Sequence, residues 1–227
     1  MTEAQLCYSV REGVRQHTDD TDISDRYIMY LFNLKRSKFL RNDLNNLQKT
    51  IDQSVIQTLC MELEEVHINE CNVDYDCGTI MRTKLKLPSP IELHLKSAVI
   101  NVKPTNRLAV PFNFVNKTQA IWSKYSSFGR SIYAFLDNDD YIYLVSESDA
   151  IKLIECISVS AIFEDPMLLK DFNNCCGCQI PKPCYDPLTT EYPLQAHHVD
   201  NITEEIIKTL IRKLQLPEDE TNNADDK

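Results

Sequence analysis

Ligand-type side chains crowd into one stretch of this 227-residue chain. Cys175, Cys176, Cys178 and Cys184 fall close together, and His197 and His198 follow. Four thiols and two imidazoles are the donor types that hold zinc in a tetrahedral shell. The spacing fits such a centre poorly, because structural zinc sites draw on two separated Cys-x-x-Cys-like pairs and here three thiols share one turn. The competing reading, an exposed loop of reduced thiols, is preferred over both a metal site and a redox role. No metal or cofactor is therefore assigned, and those six residues stand as weak candidates only. Other catalytic patterns are missing from the sequence. There is no Gly-x-Ser-x-Gly elbow, no P-loop, no His-Glu-x-x-His and no dinucleotide fingerprint. The carboxylate pairs Glu64-Glu65 and Asp139-Asp140 sit where a helix surface and a turn want them, and Cys60 reads as a small core residue rather than a nucleophile. No catalytic residue is assigned, and the chain reads as a non-enzyme.

Composition narrows the class. With 43% hydrophobic and 26% charged residues the chain is ordinary globular material, and four glycines leave little for phosphate-cradling loops. A formal net charge of −10 argues against a protein that grips nucleic acid by neutralising phosphates. The nine cysteines, an odd number beside an N-terminus without a signal-peptide core, point to reduced thiols and a cytoplasmic site of synthesis. No apolar run approaches the roughly 20 residues that span a bilayer, so no membrane partner is expected.

The elements that must position these residues follow from periodicity. Residues 1–23 read as a mobile arm or short helix. Ser24 caps a helix through DRYIMYLFNLKRSKFLRNDL, and Asp52 caps a second, QSVIQTLCMELEEVH, striped by Ile56, Leu59, Cys60, Leu63 and Val66. Together they predict an N-terminal helical hairpin over 24–68. The basic cluster Lys35, Arg36, Lys38 and Arg41 on the first helix reads as a solvated face or as partners for neighbouring acids, in preference to a phosphate grip. A β-region over 79–164 holds short strands at Thr79–Leu87, Ile91–Leu95 and Ala98–Val102. The long connection Arg107–Ser131 carries the single tryptophan, Trp122. The β-region then closes with SIYAFLDNDDYIYLVSESDAIKLIECISVSAIFEDP, read as a three-stranded antiparallel meander.

Two strands of that meander are apolar on both faces. Tyr133 and Phe135 oppose Ile132, Ala134 and Leu136; Tyr141, Tyr143 and Val145 oppose Ile142 and Leu144. Either the fold covers both faces or another copy of the chain does. On the second alternative Tyr133, Phe135, Tyr141, Tyr143, Val145 and Trp122 are the expected subunit interface. Helices over 165–216 finish the domain, one capped by Asp165 with Pro166 in its first turn, the last capped by Asn201 with Glu204. A Cys-rich insertion at 173–200 separates them. The tail 217–227, with five acids and one base, reads as disordered. The expected fold class is thus α+β, with one domain over 24–216.

The joint order of DRYIMYLFNLKRSKFLRNDL, SVIQTLCMELEEV, YIYLVSESDAIKLIECISVSAIFEDP and LPEDETNNADD resembles the head-to-tail adaptor, or connector, proteins of tailed bacteriophages. The likeness is nearest to the ring proteins of crAss-like phages and reaches from about Ser24 to the C-terminus. The Cys-rich loop at 175–184 departs from it as a local insertion. That resemblance implies a structural virion protein at the head–tail junction, assembled in the host cytoplasm. It would form a closed ring with itself, a dodecamer, that joins the capsid portal to further tail and ring proteins. Double-stranded DNA would pass through without tight binding. Another virion or tail module off the channel axis is the alternative, and a small metal-dependent enzyme using the Cys/His segment is a third reading.

Overall fold

A computed structural model describes residues 1–17, 23–46, 50–67, 79–94, 97–105, 110–122, 131–146, 149–172 and 185–214. It has two layers, a bundle of three helices and a curled β-sheet. Chain order begins with helix α1 (Glu3–Arg15), within the stretch read as an arm or short helix. Thr2 and Gln5 close a capping box at its start, while Leu6, Val10 and Val14 are fully buried at helical spacing. Helix α2 (Asp25–Leu44) comes next, capped as expected by Ser24, whose side chain accepts from Tyr27 N–H. The third member, α4 (Ala196–Leu214), packs on both. Gly13 sits where α1 meets α4, and a side chain there would collide with Ile207.

The expected second helix is a strand. After a 3-10 turn at Gln53–Val55, capped by Asp52, the chain runs extended as β1 (Gln57–His67). The stripe Leu59, Cys60, Leu63 and Val66 is buried, yet at strand period: Leu59, Met61 and Leu63 enter the sheet core, while Cys60 and Val66 are covered on the opposite side. Two neighbours outweigh the helix propensity of Leu, Met and Glu. The first half of β1 pairs antiparallel with β7 (Cys156–Ala161), from Gln57 opposite Ala161 to Glu62 opposite Cys156. Its second half pairs with β2 (Thr79–Thr83), from Leu63 opposite Thr83 to His67 opposite Thr79. The N-terminal helical hairpin is accordingly replaced by α1 and α2 followed by a strand.

The expected meander is also corrected. Strands β5 (Tyr133–Leu136) and β6 (Ile142–Val145) do form an antiparallel pair around the Asp137–Asp140 turn, where Asp140 adopts a φ of 67°. The third strand, β7, does not join them. It lies between β1 and β3 (Val99–Pro104), giving the order β3-β7-β1-β2-β6-β5-β4, with β4 (Asn113–Phe114) parallel to β5. Alternation within each strand specifies which face is apolar but carries no label for the neighbour. The two outer strands approach each other, since Phe112 N–H donates to Val102 O at 2.8 Å, and the sheet curls towards a barrel. Met61, Met81, Leu144, Ile157 and Val159 fill its inside.

Three smaller expectations also shift. Of the strand expected at Ile91–Leu95, described residues 91–94 form none; Pro90 just before them bridges to Phe163, and Ile91 N–H donates to Ile162 O. Asp165 caps as expected, but the segment it caps is a 3-10 helix, Pro166–Asp171. The last helix begins at Ala196, five residues before the expected Asn201 cap, so His197 and His198 stand in its first turn. Because Leu59 is fully buried inside the sheet, Leu59→Ala should cost about 2–5 kcal/mol. A urea midpoint shift at constant slope is the measurement.

Candidate functional site

Arg36 lies fully buried where the two layers meet. Its Nε donates to Pro193 O at 2.7 Å and one terminal nitrogen to Phe163 O at 2.6 Å. It thus reaches both the segment just past β7 and the segment that leads into α4. The other terminal nitrogen has no hydrogen-bond partner among the described residues. Burial pulls the guanidinium below its ordinary basicity, opposed by the nearby Tyr192, Tyr185 and Asp165 oxygens. Asn33, one turn earlier, adds a second tie: it donates to Asp165 Oδ1 at 3.0 Å and accepts from the Tyr192 hydroxyl at 2.7 Å. The rest of the basic cluster is largely engaged too. Lys35 pairs with Glu205 and Arg41 with Glu164, leaving Lys38 as its exposed member. The cluster is the seam of the fold rather than a phosphate grip.

Beside this seam opens a groove of about 870 Å³ between α1, α2, the 3-10 helix Pro166–Asp171 and Pro187–Leu188. Tyr8, Tyr30, Leu168 and Leu188 line it and are mostly exposed. Arg26 and Lys170 flank them, and Glu3 and Cys7 form the buried floor. Burial raises the Glu3 carboxyl, only partly offset by the hydroxyl of Tyr185, which donates to Glu3 at 2.8 Å. Burial, with Asp25 beside it, pushes the Cys7 thiol up to about 12, so it remains protonated and unreactive. Concentrated large apolar side chains in a concave surface mark a place for a macromolecular partner. None of these groove residues stood out from the sequence, although Tyr30 lies off the buried stripe of α2 and is the trace such a surface leaves.

The expected interface residues divide. Phe135, Tyr143 and Val145 are enclosed within the chain itself, under helix α3 (Lys117–Trp122), with Ala120 and Ile80 against them. Phe135 and Tyr143 stack across the strand pair at 5.4 Å. The fold therefore buries these three residues within the subunit. Tyr133 and Tyr141 are half-buried on the rim of the same cluster, and Trp122 is 65% exposed.

Of the six metal candidates, Cys175, Cys176, Cys178 and Cys184 lie outside the described residues. His197 and His198 are brought instead to Asp43, in the last turn of α2, which the sequence did not single out. One ligand-type atom from each of the three lies within 4.8 Å of the others. His198 Nε2 meets Asp43 Oδ2 at 2.5 Å, its ring lies 5.3 Å from Phe39 and 3.9 Å from the His197 ring, and its Nδ1 is buried. His197 is exposed. Among the described residues no helix is long and apolar enough to cross a membrane.

Comparison with known proteins adds two findings. A family described as phage tail ring protein 2 matches residues 5–227. "Ring protein 2" of Bacteroides phage crAss001 is 24% identical over 231 aligned positions, covering 100% of this chain and 97% of that protein.

The two ties at the seam make separate predictions. Arg36→Ala strands the Pro193 and Phe163 carbonyls, and should cost about 3–5 kcal/mol in chemical denaturation. For Glu3 the sign runs the other way from a salt-bridged acid. Its pKa is higher folded than the ordinary 4.5, so the folded chain binds the extra proton between those values. Stability from this group is greatest at low pH and declines as pH rises through the folded pKa. Glu3→Gln should remove that decline, so that its denaturation midpoint gains on wild type as pH rises above the ordinary 4.5.

Proposed function

Since this chain belongs to the phage tail ring protein 2 family, we propose that it is a structural virion protein that assembles with itself into a closed ring at the head–tail junction. In this reading the ring joins the capsid portal to further tail and ring proteins and lines the channel through which DNA leaves. The observation that carries it is the family match from residue 5 to residue 227.

The surface agrees with such a role. A cyclic ring needs two different patches on each subunit, because each copy meets its two neighbours through opposite surfaces. The junction of the two layers offers the groove of Tyr8, Tyr30, Leu168 and Leu188, and the sheet layer offers Trp122 together with the rim tyrosines Tyr133 and Tyr141. The contact surface expected on the hairpin is thus reduced to its rim and to Trp122, and the groove supplies the second side. A net charge of −10 suits a conduit that DNA passes rather than binds. The assembly role needs no catalytic group, and Cys7, a thiol lining the groove, is held in its unreactive form.

The purified full chain, alone and mixed with its portal, should give closed rings by negative-stain electron microscopy and native mass spectrometry. Tyr30→Asp combined with Leu168→Asp should weaken each contact by roughly thirtyfold, the equivalent of about 2 kcal/mol for a buried anchor. The thermal midpoint of the subunit should hardly change, because both side chains are exposed. A compact monomer that persists in the presence of portal would overturn the proposal.

A further inference from the structure

We propose that Asp43, His197 and His198 bind a divalent transition-metal ion of the zinc class, which clamps the first turn of α4 to the last turn of α2. The site is built from two elements distant in sequence, and its ligand-type atoms already lie within 4.8 Å of one another. Around a tetrahedral ion with bonds near 2.0–2.1 Å, donors sit roughly 3.3 Å apart. The His198–Asp43 pair, at 2.5 Å, would open slightly to admit the ion, and exposed His197 would reach it by a side-chain rotation.

His198 is the fixed member. It is 8% exposed and wedged between Phe39 and His197. Its Nε2 lies 2.5 Å from Asp43 Oδ2, so ring and carboxylate present their donor atoms to one point, where an ion would replace the proton they share, while Nδ1 is buried on the other side of the ring.

The donor set selects the class of ion. Two imidazoles and one carboxylate suit zinc, nickel or copper, whereas calcium and magnesium require oxygen shells. Three donors leave at least one position open to water. Charge is balanced as well: the positive end of α4 opposes a cation, while Asp43 and the negative end of α2 favour it. Asp52 adds to the local negative charge; hydrogen bonds from Ser54 hold its carboxyl low, helped by the nearby His197.

Cobalt(II) and zinc titrations of the reduced full chain test the assignment, read by calorimetry, thermal midpoint and cobalt absorption. Wild type should take up one equivalent with a rise in midpoint. The cobalt spectrum should show ligand-field bands with no thiolate charge-transfer absorption, which separates this site from the chain's nine cysteines. His197→Ala removes an exposed ligand and should fold normally, yet lower affinity at least tenfold and abolish the midpoint rise; Asp43→Asn should lower affinity also. Unchanged affinity in a folded His197→Ala protein, no uptake by wild type, or a purely thiolate spectrum would each overturn the proposal.

Discussion

A guanidinium with no access to water has to find acceptors inside the protein, and Arg36 finds them on two separate pieces of chain. Its bonds to Phe163 O and Pro193 O hold the segment leaving β7 and the segment that enters α4 against one side of α2. Removing a charge of this kind from water costs several kcal/mol, and that cost is met only while both carbonyls stay in place. The geometry of the seam is therefore narrowly specified. Helices and sheet could bury their apolar faces against each other in several arrangements, but few of them present two carbonyls to the same side chain. Asn33, Asp165 and Tyr192 extend the same constraint by one helical turn.

The exposed surface depends on that seam. The groove is formed where α1 and α2 meet the 3-10 helix that Asp165 caps, so its walls belong to both layers. A binding surface spanning such a joint is only as well defined as the joint. For a subunit that tiles with copies of itself, small angular errors would accumulate around a closed assembly, and a rigid layer junction is a physical requirement of the proposed role. The helix-to-helix contact at Asp43 and His198 lies on the far end of α2 from the groove, where a second restraint on α4 is most useful.

The hairpin of β5 and β6 carries a lesson about apolar patterning. A strand pair oily on both sides needs cover on both sides, and the sequence permits that cover to come from a neighbour or from within. Here α3 supplies it from within, setting Ala120 against Phe135, Tyr143 and Val145, with Ile80 of β2 beside them. Tyr133 and Tyr141 lie on the rim of this cluster, and Trp122 at the end of α3 is exposed.

The features legible directly in residue order were local. The cap at Ser24, the α2 helix it starts, the β5–β6 pair around its aspartate turn, the Asp165 cap and the apolar face of α4 all rest on contacts within a few residues, which propensity and periodicity encode. Three features were decided elsewhere. β1 is a strand because β7 and β2 flank it, although its leucines, methionine and glutamates favour a helix. β7 leaves its sequence neighbours to pair with β1 and β3, since alternation marks a buried face without naming a partner. Arg36 looked like one of four surface cations and is instead the innermost charge, because burial depends on which segments 127 and 157 positions away fold over it. A similar separation, 155 residues along the chain, divides Asp43 from His198, and no spacing rule can join two side chains that only the packing of α2 on α4 brings together.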